Sequence, residues 1–220
     1  NALNIAMCEA LVAATRRARE DGARCVLVRA LGPVFCAGAD LKERQGMGDD
    51  AVRARRLKSF AAYDALERLP MPAIAVVEGA AVGSGVEIAA ACDFIIVTPA
   101  ASFRTPEALW GTVGATQRLP RIIGKRLAKD LMFTGRALGA EEAREAGLVS
   151  RVVTAEALEA TIADITATIL KAPPAAMALA KRCVDEGLER DPRGALATEI
   201  LAIEESLAAA EWRKAMQGFG

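Results

Sequence analysis

Histidine is absent from the 220 residues. That absence removes Ser-His-Asp and Cys-His machinery within the chain, and His-ligated metal sites with it. Any general acid or base must come from Asp, Glu, Lys, Tyr or Cys. Paired cysteine spacings are missing as well. Cys8, Cys25, Cys36, Cys92 and Cys183 are odd in number, and no two stand as C-x-x-C. They read as reduced, mostly buried small hydrophobes of a reducing compartment, and a nucleophilic thiol would lack an activating histidine. No apolar run reaches about 18 residues, so no membrane span is expected. Charge of one sign is not in excess: 28 basic residues face 28 acidic ones, which weakens a nucleic-acid role without excluding it. There is no repeat and no low-complexity linker. Asn1 opens directly into a helix-like pattern with no signal-peptide character.

What is present is a globular balance, 53% hydrophobic and 25% charged. Apolar spacing predicts a helix over Ala2 to Asp21, stopped by Gly22, and a strand over Arg24 to Ala30. Gln45 to Asp50 reads as a polar loop, Ala51 to Leu69 as a helix ended by Pro70 and Pro72, and Phe94 to Val97 as a strand. Thr116 to Ile123, Arg126 to Phe133 and Ala140 to Ala146 read as short helices, and Leu148 to Val153 as a strand. Thr154 is the expected cap of a long helix to Lys171, and Asp191 the cap of a helix beginning at Pro192. Strands stop near Val153, so the chain divides into a β/α core over 1–171 and a helical region over 172–220.

The chemistry gathers around Ala73 to Val97, AIAVVEGAAVGSGVEIAAACDFIIV. Two strand-like runs precede and follow a turn, Gly83-Ser84-Gly85, and an apolar segment that contains one charge, Glu87. A buried lone carboxylate needs a partner or a raised pKa. Glycines before a helix leave N–H groups free to meet developing negative charge. A second unusual stretch is Phe35-Cys-Ala-Gly-Ala-Asp-Leu-Lys-Glu43. It reads as a tight strand-to-helix turn capped by Asp40, or as a place of close backbone approach to a ligand. Glu107 alone reads as an ordinary helix-start glutamate. Arg53, Arg55, Arg56 and Lys58 read as a solvated helix face, the alternative being a phosphate contact.

Taken together, NALN at Asn1 to Asn4, FCAGADLKE, the central stretch ending at Asp93, SFRTPE ending at Glu107, TQRLPRIIG, FTGR and EEAREAGLVSRVV form an ordered set. The sequence resembles the crotonase superfamily, specifically enoyl-CoA hydratase-like proteins. The resemblance implies an α/β fold, a spiral of ββα units with a helical C-terminal region, and trimers or dimers of trimers. It implies a CoA thioester carbonyl held by the backbone N–H groups of Ala39 and Ser84. The family usually has Gly at the latter position. Ala37, Ala39, Asp40, Leu41, Lys42 and Ser84 would meet the CoA substrate. Glu87 would activate water, and protonated Glu107 would deliver a proton to the α-carbon. Preorganised donors stabilise the thioester oxygen as it gains charge, by about 3 kcal/mol each in other systems.

The implied activity is reversible hydration of a 2-enoyl-CoA, with no metal, flavin or nicotinamide. Isomerisation of a Δ3-enoyl-CoA and hydration of methylglutaconyl-CoA are the enzymatic alternatives, and a non-catalytic RNA-binding scaffold is the alternative of another class. The implied location is the cytoplasm, or the mitochondrial matrix after removal of a transit peptide. The acyl pocket is expected near Leu57, Phe60, Trp110 and Phe133. Three places depart from the family pattern: strands before NALN are lacking, and the stretches ALWGTVGA and Leu207 to Glu211 are short. Missing residues are the expectation there, with an intact mass above 23.1 kDa.

Overall fold

The computed structural model describes residues 1–209 and 212–213. Two four-stranded sheets organise them. The first is wholly parallel and runs β1 (Val26–Val28), β3 (Ala73–Val77), β5 (Phe94–Val97) and β8 (Arg151–Val152). The second runs β2 (Val34–Cys36), β4 (Ala80–Val82), β6 (Ser102–Arg104) and β7 (Leu138–Gly139), the last pairing antiparallel. From β1 to β6, successive strands go alternately to the first and second sheets. Helices α2 (Leu41–Arg44) and α3 (Asp49–Glu67) follow β2, and α4 (Ser84–Ala90) follows β4. The repeating unit is therefore strand, strand, helix.

All five residues of β3 are buried, the pattern of a parallel strand covered on both faces. One face, with Ala75, Val77, Ile95 and Val97, joins Phe35, Ala81, Phe103 and Leu138 in the main core. The other, with Ile74, Val76 and Ile96, packs on Leu158, Ile162 and Ile169 of α8 (Leu158–Lys171). Helix α1 (Ile5–Glu20) is capped by Asn4, whose side chain accepts from the Met7 N–H at 2.8 Å, and Gly22 beyond its end has φ 66°. Asp40 caps α2 as expected, accepting from the N–H groups of Lys42 and Glu43. Asp191 accepts from the N–H groups of Arg193 and Gly194 at the start of the last helix, Pro192–Ala209.

Two local expectations are corrected. Asp49 and Asp50 belong to α3, where acidic residues suit the first turn, so the polar loop is shorter than it reads. Thr154 caps a separate turn: its hydroxyl accepts from Ala157 N–H at 3.4 Å, and α8 begins only at Leu158. Thr–Ala–Glu–Ala can serve a turn or a helix start equally well, and docking of Leu158 under the sheet decides. Among the described residues, no single helix is long and apolar enough to cross a membrane. The final segment of the expected helical region, 214–220, lies outside the described residues.

Candidate active site

Two turns are brought side by side by pairing of β2 with β4. The first follows β2. Leu3 bridges Ala39 in parallel: Leu3 N–H donates to the Gly38 carbonyl at 2.7 Å, and Asp40 N–H donates to the Leu3 carbonyl at 2.9 Å. A parallel bridge uses the groups flanking the central residue, so the N–H of Ala39 itself has no backbone partner. The second turn follows β4. Gly83 has φ 51° and its N–H donates to the Arg104 carbonyl at 2.8 Å. Ser84 is the first residue of α4, where an N–H has no intrahelical acceptor. Both donors named from the sequence are thus free of backbone partners and line one cavity.

The glycines of the second turn are required for different reasons, Gly83 by its positive φ and Gly85 by space. A methyl group at Gly85 would lie 2.7 Å from the Cys36 carbonyl oxygen, and one at Gly83 would lie 2.5 Å from Glu107 Oε1. Bare backbone here lets α4 sit against β2 and lets Glu107 reach the turn.

The cavity, of about 70 Å3, is also lined by Glu87 and Glu107. That room suits a few waters or a small reacting group. Glu87, on the first turn of α4, is 9% exposed. Its Oε2 accepts from Arg118 Nη1 at 2.9 Å. Arg118 also holds Glu67, with Nε to Oε1 at 3.2 Å and Nη2 to Oε2 at 2.5 Å, and its guanidinium stands 5.8 Å from the Tyr63 ring centre. Burial pushes the Tyr63 hydroxyl up to about 12, with the Ser84 hydroxyl beside it acting in the opposite direction, so it stays protonated at neutral pH.

Glu107 begins a 3-10 turn, Glu107–Trp110. Its Oε2 is buried with no hydrogen-bond partner among the described residues. Desolvation raises its pKa first, and the charge of Glu87 raises it further, against opposing effects from its own backbone and from Arg56. A carboxyl so placed favours its neutral form. The loop beyond it is short. Gly114 packs on the Glu107 side chain so closely that a methyl would lie 2.9 Å from Cγ, and Ala115 takes φ 54°. Arg56 ties this loop to α3, donating to Thr112 Oγ1 at 2.9 Å and to the Val113 carbonyl.

A model of the enoyl-CoA hydratase/isomerase family matches residues 1–220. The chain belongs to this family. It is 39% identical over 212 residues to the probable enoyl-CoA hydratase 2, mitochondrial, of Arabidopsis thaliana, covering 94% of this chain and 70% of that relative. It is 38% identical over 184 residues to the human methylglutaconyl-CoA hydratase, mitochondrial, covering 80% of this chain and 54% of that one. The crystal structure of an enoyl-CoA hydratase from Bacillus anthracis superposes with a TM-score of 0.94 at 36% identity, covering 99% of this chain and 86% of the other. The alternating two-sheet arrangement is accordingly the crotonase fold of the family.

Within this family scaffold, Ala39, Leu41, Ser84, Glu87 and Glu107 line the cavity, whereas Ala37, Asp40 and Lys42 do not. Ala37 commits its N–H to the Asn1 carbonyl at 3.0 Å, Asp40 commits its carboxylate to the cap, and Lys42 is exposed. Phe60 and Trp110 line the cavity; Leu57 and Phe133 lie outside it, 66% and 65% exposed.

The reading of Arg53 to Lys58 as one solvated face is corrected. Arg55 is 4% exposed, donates to Glu43 Oε2 at 2.7 Å and to the Leu3 carbonyl, and so holds the Leu3–Ala39 bridge in place. Arg53 pairs with Asp50, and Lys58 with Glu9. Arg118, Glu67 and Tyr63 escaped the sequence reading. Arg118 stands inside the quoted TQRLPRIIG motif, but nothing local names a partner 31 positions back.

Proposed function

We propose that this protein is an enoyl-CoA hydratase, adding water reversibly across the double bond of a 2-enoyl-CoA thioester. The observation that carries the reading is the contrast between two carboxyl groups on one cavity, one held by a guanidinium and one desolvated without a partner. Environments that push two carboxyls apart separate a base from an acid.

In the hydration direction, the thioester oxygen accepts from the N–H groups of Ala39 and Ser84. Glu87, through its uncommitted Oε1, takes a proton from water as the water oxygen bonds to the β-carbon. The π electrons move to the α-carbon and thioester, giving an enolate whose charge the two donors stabilise. Protonated Glu107 then donates its proton to the α-carbon. The reverse step eliminates water. Proton transfer and oxyanion stabilisation supply this chemistry without a redox group or a metal.

Crotonyl-CoA tests the reading. The purified protein is expected to abolish the conjugated enoyl absorbance, and Glu87→Gln and Glu107→Gln to lose nearly all of that activity. A parent that leaves crotonyl-CoA and longer 2-enoyl-CoA thioesters untouched would overturn it. Isomerisation of a 3-enoyl-CoA is the second enzymatic reading, since it needs only one well-placed carboxylate, and Glu87 supplies one on the cavity. Conversion of a 3-enoyl-CoA surviving in Glu107→Gln would select it. Methylglutaconyl-CoA is the branched substrate to compare, since a relative so named shares 38% identity. The RNA-binding alternative has less support, because Arg55 is buried and Arg56 is engaged with Thr112, which leaves Arg53 and Lys58 as the exposed cations of that cluster.

We also propose a homotrimer or dimer of trimers, in the cytoplasm or a mitochondrial matrix. Val184, Leu188, Leu196 and Leu201 of the two last helices are each more than half exposed, an apolar surface suited to subunit contact. Sedimentation at one chain mass would contradict it.

A further inference from the structure

The mechanism uses Glu87 but leaves unexplained the chain of groups behind it. Arg118 is bound on both sides by carboxylates, Glu87 at 2.9 Å and Glu67 through two nitrogens, with the Tyr63 ring beneath. Arg118 and Glu87 are both shielded, at 21% and 11% side-chain exposure, while Glu67 is 44% exposed. The three come from α3, α4 and α5 (Arg118–Ile123). A planar guanidinium gripped bidentately by Glu67 cannot turn freely, so its remaining Nη1 points in one direction. Among the described residues no cation is bonded to the Oε2 of Glu107.

We propose that Arg118, aimed by Glu67, is the positioning residue that makes the two site carboxyls unequal. It occupies Oε2 of Glu87, holds that group as an oriented carboxylate and presents Oε1 to the reacting water. The role of acid then falls to Glu107. Arg118 acts through Glu87 and does not itself touch the substrate. This inference rests on the proposed hydration, so its test has one arm that needs no activity.

That arm is the crystal structure of Arg118→Gln, with Arg118→Lys as the variant that keeps the charge but loses the fork. Glu87 is expected to leave its position in Arg118→Gln and to be held only partly in Arg118→Lys. A Glu87 side chain unmoved in Arg118→Gln would overturn the proposal. The second arm is kinetic. With crotonyl-CoA, Arg118→Gln is expected to lower kcat by about 10²-fold while KM stays within about threefold, since misplacing a reacting group by an ångström has that scale of effect. Arg118→Lys should recover part of the rate, and Glu67→Gln should fall between parent and Arg118→Gln. A rise in KM with kcat unchanged, or equal kcat in parent and folded Arg118→Gln, would overturn it. Should the parent hydrate nothing, the hydratase reading fails, and the position of Glu87 still decides whether Arg118 holds it.

Discussion

Glu87 and Glu107 are the same side chain in two different settings. Glu87 stands on a helix whose residues Gly85 to Ala89 are buried, and an arginine supplies its partner. Glu107 stands on a single 3-10 turn followed by a short loop with Gly111 and Ala115 at positive φ, and its Oε2 has no partner. The first carboxyl is supported by charge, the second only by shape, with Gly83 and Gly114 pressed against it. Identical side chains are thus given different surroundings, the condition under which one site can separate an acid from a base.

The comparison breaks most sharply when either carboxyl is removed. Glu87→Gln and Glu107→Gln should each lower kcat for crotonyl-CoA by about 10²- to 10⁴-fold, the usual range of general acid–base catalysis. The double mutant should be little worse than the poorer single one, because groups acting as a unit are non-additive. Multiplying losses in the double mutant would argue for independent roles.

A smaller effect is expected from crowding Glu107 alone. Gly114→Ala places a methyl at 2.9 Å from Glu107 Cγ and should cost about 10²-fold in kcat. Its thermal unfolding should move much less than its rate. Full activity would show that the position of Glu107 is not set by this contact.

The two groups should also differ in stability. Burial raises the pKa of Glu107 in the folded state. Its contribution to stability is then present below the ordinary glutamate value, about 4.3, and is lost as pH rises through the raised folded value. Glu107→Gln suffers no such loss, so it should melt above the parent at neutral pH, with the gap closing toward pH 4. A gap that widens on acidification would have the wrong sign. The smallest effect is local: Ala115→Gly relieves a left-handed alanine and should stabilise by at most about 1 kcal/mol in urea unfolding. Destabilisation there would mean that the Ala115 methyl packs usefully.

Elements whose causes lie within a few residues were legible. Phe94–Val97 forms the strand expected of four consecutive apolar residues, and Asp40, Asp191 and Gly22 punctuate helices as their side chains or φ angles require. The buried charge at Glu87 was legible as an anomaly, and the paired turns as places of free N–H groups. The partner of that charge was not. Arg55 and Arg56 look alike in the sequence, yet one is buried beneath the Leu3–Ala39 bridge and the other fastens the loop at Thr112.

By itself, then, the sequence determined the strands of the parallel sheet, the caps at Asp40 and Asp191, the bare-backbone turns and, through the ordered motifs, the family resemblance. Only the tertiary structure decided that Ala39 and Ser84 open onto one cavity, that Glu107 buries its Oε2 there with no hydrogen-bond partner among the described residues, and that Arg118 grips Glu87 from 31 positions away. The physical reason is the alternation of strands between two sheets. Local propensity and capping act over a few residues, whereas sheet pairing and packing choose which distant side chains share the same desolvated space, and that choice sets the electrostatic surroundings of each.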